Sequence, residues 1–462
     1  MDRLSVLDAE FLHLEDGITH MHMAGLSVFE GPTPDLHDIE HLLATKLHQI
    51  PRYRQRISNV PFELGRPVWE DDPHFNLAYH VRHVAVPAPG DDAAVCRLMG
   101  RVMSQPLDRN RPLWETWLVE SLADDRWALI SKVHHCMVDG IAGVGLITVL
   151  LAAERDAPLP DPPPWRAAPE PNGVAKIVDA WAGLGDDLIS WVRRVPGTAR
   201  DPLGALRSGA HDVSGLLRFA RHLSSTPSLS IEGTIGPNRM WAHSSVQLAD
   251  VRVIRKTLGG TVNDVVLATV AGAYRELLLR RGEDADGAVV RTLVPVSVRT
   301  DDARGVSDNR VSAILYELPI AIADPLDRLH AVMDAMGELK SSHMAEAGEA
   351  VTTIGNLAPP MVIGPVTRFS TRVMRRLPQR SINTVTTNVP GPQMPLYCLG
   401  REMLEYVPYV PIYQGVRIGT AILSYNGRLA FGVTGDFDTA PDVTILADAI
   451  PYEVDQLLKL AH

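Results

Sequence analysis

A proline-rich stretch divides the chain into two parts. Seven of the 18 residues from Asp156 to Gly173 are proline. Because proline fixes φ and lacks an amide hydrogen, such a stretch is typical of a stiff, extended connector outside any helix or sheet. The 462 residues leave room for a domain of ordinary size on each side of it. We therefore predict an N-terminal domain over 1–155, a proline-rich and helical crossover over 156–235, and a C-terminal domain over 236–462.

Both parts combine strand patterns with helix patterns, which predicts an α/β fold with mixed sheets. Alternating apolar residues indicate strands, and apolar residues three and four positions apart indicate helices. Asn426-Gly427 lies between alternating runs at 416–424 and 429–435, which is a strong signal for a β-hairpin. The other predicted elements are helices over 35–47, 93–103, 264–281 and 325–340, and strands over 116–120, 127–133, 246–248, 289–299 and 311–319.

The charge pattern argues against a nucleic-acid partner. The chain has 44 basic and 55 acidic residues, a formal net charge of −11, and no dense block of lysine or arginine. Its three cysteines are odd in number and lack zinc-like spacing, which is typical of a reducing compartment. The first residues contain no apolar core of a signal peptide. The cysteine pattern and the first residues together predict a cytoplasmic protein.

The sequence also argues against a membrane-spanning helix. The apolar stretch 140–153 has 14 residues, too few to cross a bilayer, and 350–367 is interrupted by Asn356 and Pro359-Pro360. Two interpretations stay open for the segment 174–224. It is either a packed helical crossover or an interfacial helix in peripheral contact with a membrane or a lipid droplet.

The chemistry of the chain is concentrated in a pair of histidines, His134-His135, with Asp139-Gly140 four residues after the second. A neutral imidazole titrates near working pH, so a histidine here can take a proton from a hydroxyl or amine that attacks an acyl group. Asp139 suits two compatible roles, as the partner that fixes the histidine ring or as the N-cap of a helix. Cys136 adjoins His135, but neighbouring side chains at a turn point apart, so we expect an inert thiol.

A metal site is not predicted. His20 and His22 could join the histidine pair and Asp139, but their spacing matches no standard zinc pattern. The interpretation from the residues alone is therefore acyl transfer by a histidine base.

The motif His134-His135-x-x-x-Asp139-Gly140 resembles the active-site motif of the coenzyme A-dependent acyltransferase superfamily, which includes chloramphenicol acetyltransferases and peptide-synthetase condensation domains. Further motifs, in the same order over essentially the whole chain, narrow the resemblance to the bacterial wax ester synthase/diacylglycerol acyltransferases. These motifs are Leu4–Leu12, Arg111–Glu115, Thr261–Ala268, Asn309–Ser312 and Thr387–Pro392.

The resemblance implies two chloramphenicol-acetyltransferase-like domains with an active-site tunnel between them. It also implies an esterification, in which a long-chain acyl group moves from acyl-coenzyme A to the hydroxyl of diacylglycerol or of a fatty alcohol. The product is then triacylglycerol or a wax ester. Acyl-coenzyme A is a substrate in this reaction, and no cofactor is expected.

The resemblance assigns roles around the histidine motif. The catalytic base falls on His135 and the structural aspartate on Asp139, with His134 and Gly140 in support.

Two further groups have alternative roles. Asn263 and Asp264 either line the site from the second domain or cap the helix that follows them. Pro112, Leu113 and Trp114 either form part of the acyl tunnel wall, as substrate-binding residues, or pack in a domain core. The segment 387–392 is predicted as a polar turn, beside the channel or simply connecting two elements.

Three rival functions remain. His134 and Asp139 also fit the pattern of glycerol-phosphate acyltransferases. Their acceptor, glycerol phosphate, is an anion that basic residues would bind, whereas the residues after Asp139 are apolar. A carrier-dependent enzyme would prefer a protein-bound thioester over free acyl-coenzyme A. A non-enzymatic scaffold on a membrane or lipid droplet would not need His135.

Overall fold

The computed structural model describes residues 1–61, 65–137, 149–179, 182, 228–297, 311–341 and 382–462. Asp139 and Gly140, the helix predicted to follow them, and most of the segment 174–224 lie outside these residues.

The first part of the chain alternates helices and strands. In chain order it contains β1 (Asp2–Arg3), α1 (Val6–Leu14), β2 (His22–Phe29), α2 (Leu36–Lys46), β3 (Gln55–Ser58), β4 (Val68–Asp71), α3 (Leu77–His80), β5 (Val81–Ala85), α4 (Asp92–Met103), β6 (Trp114–Leu122) and β7 (Arg126–His134).

The second part has the same mixed character. It contains β8 (Glu232–Gly233), β9 (Arg239–Gln247), α5 (Leu248–Leu258), α6 (Val262–Arg280), β10 (Val290–Ser297), β11 (Val311–Leu318), α7 (Pro325–Ser341), β12 (Thr384–Pro390), β13 (Tyr397–Cys398), β14 (Arg401–Tyr409), β15 (Gly415–Val416), β16 (Ile418–Tyr425), β17 (Arg428–Asp436) and α8 (Val443–Ala461).

Most predicted elements are found, with boundaries shifted by a few residues. The hairpin forms between β16 and β17, and Asn426 and Gly427 take φ of +42° and +82°, the conformation that this two-residue turn requires. The predicted short strand at 246–248 is instead the end of β9, and Leu248 begins α5.

The predicted turn at 387–392 is wrong for its first four residues. Residues 387–390 belong to β12, which runs parallel to β16 in the interior of a sheet. The three threonines and the asparagine of β12 hid this strand, because polar residues weaken the apolar alternation that indicates one.

Two six-stranded mixed sheets dominate the part of the chain that the structure describes. The first sheet has the order β13-β14-β2-β7-β6-β5, and the second has the order β11-β10-β12-β16-β17-β9. Parallel pairing occurs between β5 and β6 in the first sheet, and between β12 and each of β10 and β16 in the second. The mixed α/β fold predicted from the sequence is therefore what the chain forms.

The two parts of the chain share their sheets and cores. β14 comes from the second part but pairs antiparallel with β2, so it extends the first sheet. Leu423 and Tyr425 of β16 pack in the same apolar cluster as Phe29 and Trp127 of the first part. A separate core lies wholly in the second part, where α6 and α8 cover the second sheet.

The proline-rich connector follows the surface of the first part. Residues 157–172 contain no helix or strand and are mostly exposed. Trp165 anchors the connector, because the Arg54 guanidinium lies 4.6 Å from its ring centre and Phe75 packs edge-on against it. Among the described residues, no helix has the length and apolar character needed to cross a bilayer.

Candidate active site

The histidine pair lies where β7 ends. β7 runs through His134, and a short 3₁₀ turn from His135 to Met137 follows it. β2 runs antiparallel to β7 and places His22 opposite His134. A turn at the end of a central strand holds its side chains firmly while leaving one of them accessible.

His135 is held at its backbone and along one ring face. Its amide donates a 2.8 Å hydrogen bond to the Met21 carbonyl, and its ring lies 3.9 Å from the ring of Phe11 on α1. The side chain is half-buried. Burial lowers the pKa of His135 to about 4, against a smaller opposing interaction with its own backbone. The imidazole is therefore neutral near pH 7, the protonation state that a general base requires.

His134 is fully buried, so its ring is not accessible to act as the general base. Its amide donates a 2.9 Å hydrogen bond to the Leu113 carbonyl, and its Nδ1 accepts a 3.1 Å hydrogen bond from the Cys136 amide. Both contacts fasten the turn around His135. The supporting role of His134 in catalysis stays a prediction.

The segment Pro112-Leu113-Trp114 is packed in the interior. Leu113 and Trp114 are 1% and 0% exposed, and the Trp114 indole donates a 2.8 Å hydrogen bond to the Tyr53 carbonyl. His80 stacks on the indole with ring centres 4.6 Å apart. The segment supports the site through the Leu113 carbonyl that holds His134; its predicted part in a tunnel wall stays a prediction.

Asn263 and Asp264 lie in the first turn of α6. Asp264 accepts a 2.7 Å hydrogen bond from the Thr261 amide, and the Thr261 hydroxyl accepts one of 3.2 Å from the Asp264 amide, so the pair forms a capping box. The capping role is thus present for Asp264, and a role of either residue at the site stays a prediction. Asn263 accepts a 3.3 Å hydrogen bond from the side-chain amide of Asn388 on β12, which brings two of the sequence motifs together.

A buried polar cluster beneath the histidine pair was missed by the sequence analysis. Glu15, whose side chain is 7% exposed, lies with Oε1 3.0 Å from His22 Nε2 and with Oε2 3.6 Å from His134 Nε2. Arg109 donates hydrogen bonds of 2.9 and 2.6 Å to Glu15 Oε2. Glu15 follows α1 and Arg109 follows α4, so no spacing along the chain signals that they meet. In the sequence, only the number of histidines, His20 and His22 together with the histidine pair, indicated a polar centre.

This cluster has the residues but not the chemistry of a metal site. The donor atoms of Glu15, His22 and His134 lie within 4.8 Å of one another, as zinc ligands would. However, the Cys136 amide occupies the lone pair of His134 Nδ1, so the proton of neutral His134 is on Nε2, which then has no lone pair for a metal. The Arg109 guanidinium also occupies Glu15 Oε2.

Cys136 packs as an apolar side chain. It is 4% exposed in a cluster with Leu4, Ala9 and Leu113, and burial raises the pKa of its thiol far above the usual range. A thiol with a raised pKa is a poor nucleophile.

Comparison with known proteins identifies the kind of enzyme. Residues 4–266 match the wax ester synthase/diacylglycerol acyltransferase catalytic domain, and residues 307–457 match the C-terminal domain of the same family. The protein named "Probable diacyglycerol O-acyltransferase tgs1" of Mycobacterium tuberculosis strain H37Rv is 37% identical over 470 residues, with 100% of this chain and 96% of that protein covered.

Solved structures agree with the family match. The wax ester synthase/diacylglycerol acyltransferase from Marinobacter aquaeolei VT8 is 26% identical, with a TM-score of 0.67 and 99% of each chain covered. The first condensation domain of the CDA synthetase, 15% identical, has a TM-score of 0.56 over 99% of this chain and 96% of that domain, a likeness in fold alone. The predicted chloramphenicol-acetyltransferase-like fold is thereby confirmed. The chain belongs to the wax ester synthase/diacylglycerol acyltransferase family.

Proposed function

We propose that this chain is an acyl-coenzyme A:diacylglycerol O-acyltransferase that forms triacylglycerol, with His135 as the general base. The proposal depends on the neutral, half-buried imidazole of His135. The residues on either side of it, His134 and Cys136, are hydrogen-bonded to each other and hold the turn. Family membership supplies the reaction and the full-length similarity to a protein named as a diacylglycerol O-acyltransferase supplies the acceptor. Fatty alcohols are a second acceptor class in the same proposal.

The proton and bond changes need only this base. His135 takes the proton of the acceptor hydroxyl while its oxygen attacks the thioester carbonyl carbon, forming a tetrahedral oxyanion. The oxyanion collapses, the carbon–sulfur bond breaks, and the imidazolium returns the proton to the coenzyme A thiolate. Asp139 is proposed to orient the His135 ring, with Gly140 permitting the turn.

The proposal includes no cofactor and no metal, because the activated acyl group arrives in the substrate thioester. A chain that acts on diacylglycerol must meet a lipid surface, so we place it in the cytoplasm in peripheral contact with the inner membrane or lipid droplets. Val174 and Val178, one helical turn apart and 70% and 62% exposed, are suited to such a contact.

The test is release of free coenzyme A by the purified chain, with palmitoyl-coenzyme A and a panel of diacylglycerol, a fatty alcohol and glycerol phosphate. We expect activity with the first two acceptors, and His135→Ala should lower it at least about 100-fold because the base is gone. His134→Ala should be milder. His83→Ala is the matched control, since His83 is an exposed histidine on β5.

Two outcomes would contradict the proposal. Retained activity in His135→Ala would show that His135 is not the general base. A preference for glycerol phosphate as acceptor would favour a glycerol-phosphate acyltransferase instead.

A further inference from the structure

The Glu15 carboxylate is the centre of the buried cluster beneath the histidine pair. It lies just after α1, the helix that also carries Phe11 against the His135 ring. Its two oxygens divide their partners, with His22 on Oε1 and both Arg109 and His134 on Oε2. One short segment of chain therefore contacts both histidines of the motif.

The charge of this cluster is set by its contacts. Burial alone would raise the pKa of Glu15, but the polar contacts from the ring N–H groups of His134 and His22 hold it well below the usual range. Arg109 balances the negative charge with two hydrogen bonds. Burial lowers the pKa of His22 to about 3, so this neighbour is neutral. Glu15 is thus an anion that faces the Nε2 edge of His134.

The protonation pattern of His134 follows from its other ring nitrogen. A backbone amide can only donate, so the Cys136 amide requires His134 Nδ1 to accept, and the proton of the neutral ring must be on Nε2. A carboxylate near Nε2 stabilises that tautomer, and loss of the carboxylate would allow the proton to move to Nδ1. The amide of Cys136 would then lose its acceptor.

The hydrogen bond between the Cys136 amide and His134 Nδ1 joins the two residues on either side of His135. The backbone direction of His135 is fixed by this bond together with its own bond to the Met21 carbonyl. A change of tautomer at His134 would loosen the turn and let the His135 imidazole leave the direction needed for proton transfer, and misplacement of a catalytic group by about 1 Å can cost roughly 100-fold in rate.

We propose that Glu15 is a positioning residue for acyl transfer: its carboxylate selects the Nε2–H tautomer of His134, which keeps Nδ1 free for the Cys136 amide and so fixes the turn that carries His135. This inference rests on the proposed function for the role of His135 as base. The part that concerns the tautomer does not depend on activity.

The test combines NMR and kinetics on the full chain. Ring nitrogens of ¹⁵N-histidine-labelled protein are recorded, and His134 is assigned from the signal that disappears in His134→Asn. We expect a single Nε2–H species in the unmodified chain and a shift toward Nδ1–H in Glu15→Ala. Glu15→Gln keeps a carbonyl oxygen and the side-chain volume, so it should retain most of the Nε2–H form.

The kinetics should follow the tautomer. We expect Glu15→Ala to lower kcat roughly 10- to 100-fold, the range that loss of a partner that orients a metal-binding histidine costs, and Glu15→Gln to be intermediate. KM for palmitoyl-coenzyme A should change by less than about threefold, because the Glu15 side chain is only 7% exposed and is proposed to act through the turn that carries His135. Glu453→Gln is the matched control, since Glu453 is also a carboxylate with little exposure, 12% of its side chain, and is paired with an arginine, Arg328, in the second part of the chain.

Separate results would overturn the inference and the proposed function. An unchanged Nε2–H signal in both Glu15 variants, or an equal loss of kcat in Glu453→Gln, overturns the positioning role. If His135→Ala stays active while Glu15→Ala shifts the His134 signal, the tautomer inference stands and the proposed base is wrong.

Discussion

At the residue scale, burial decides which of several reactive side chains can act. His135 and Cys136 are neighbours in one turn, yet burial leaves the imidazole neutral and ready to accept a proton, while it holds the thiol protonated. The same effect acts on the other two cysteines, because burial raises the pKa of Cys96 and of Cys398 to about 12. Proximity in sequence to a histidine therefore does not activate Cys136.

This difference predicts slow thiol chemistry. In the folded chain, we expect all three free cysteines to react with a disulfide reagent at least about 100-fold more slowly than in guanidinium, because the thiolate is the reactive form. The measurement is the time course of coloured thiolate release, with the modified residues located by mass spectrometry. Fast labelling of Cys136 alone would show an activated thiol and reopen a covalent mechanism.

At the element scale, the two six-stranded sheets pack closely at a glycine, Gly432. A Cβ on Gly432 of β17 would lie 1.8 Å from the Pro408 carbonyl oxygen of β14. β14 belongs to the first sheet and β17 to the second. The backbone oxygen cannot rotate away as a flexible side chain could, so close packing of the sheets requires glycine here.

Gly432→Ala should therefore destabilise the chain by on the order of 3 kcal/mol, the cost of overpacking a rigid interior. Gly337→Ala is the control, because nothing lies within 4 Å of a Cβ there and the position is on α7. That substitution should stabilise by about 0.5 kcal/mol or more. Urea unfolding measures both, and equal midpoints for the two variants would contradict the tight approach of β14 and β17.

At the scale of the whole molecule, buried histidines link folding to pH. Burial lowers the pKa of His22 to about 3 and those of His80 and His135 to about 4. In the unfolded chain these groups titrate near 6.5. Between the two values the unfolded chain binds more protons than the folded one, so the free energy of unfolding falls as pH falls.

We expect a loss of about 1 kcal/mol for each of these three histidines between about pH 7 and about pH 5.5. Glu10 and Glu453, whose pKa values are raised by burial, oppose the loss toward lower pH. Burial also lowers the pKa of His20, which adds to the slope. Urea unfolding across this range measures the slope, and His80→Gln should remove roughly a quarter to a third of it. A free energy of unfolding that does not change over the range would contradict the neutral, buried state of these rings.

Much of the fold and one side of the site could be predicted from the sequence. The hairpin at Asn426-Gly427, the helix after Thr261 and the strand that ends at His134 follow from local rules, because turn geometry, capping and apolar periodicity act between residues close in the chain. The histidine motif also follows from residue types and spacing. These features the sequence determined by itself.

The rest depended on contacts between distant segments, which no local pattern encodes. β14 joins β2 across more than half of the chain, and Glu15 meets Arg109 and His134 only because the end of α1, the loop after α4 and the end of β7 come together. β12 is a strand in spite of its polar residues, because two parallel neighbours supply its hydrogen bonds. The tertiary structure alone decided which charges are buried together, and burial is what sets the protonation of His135 and of the groups beneath it.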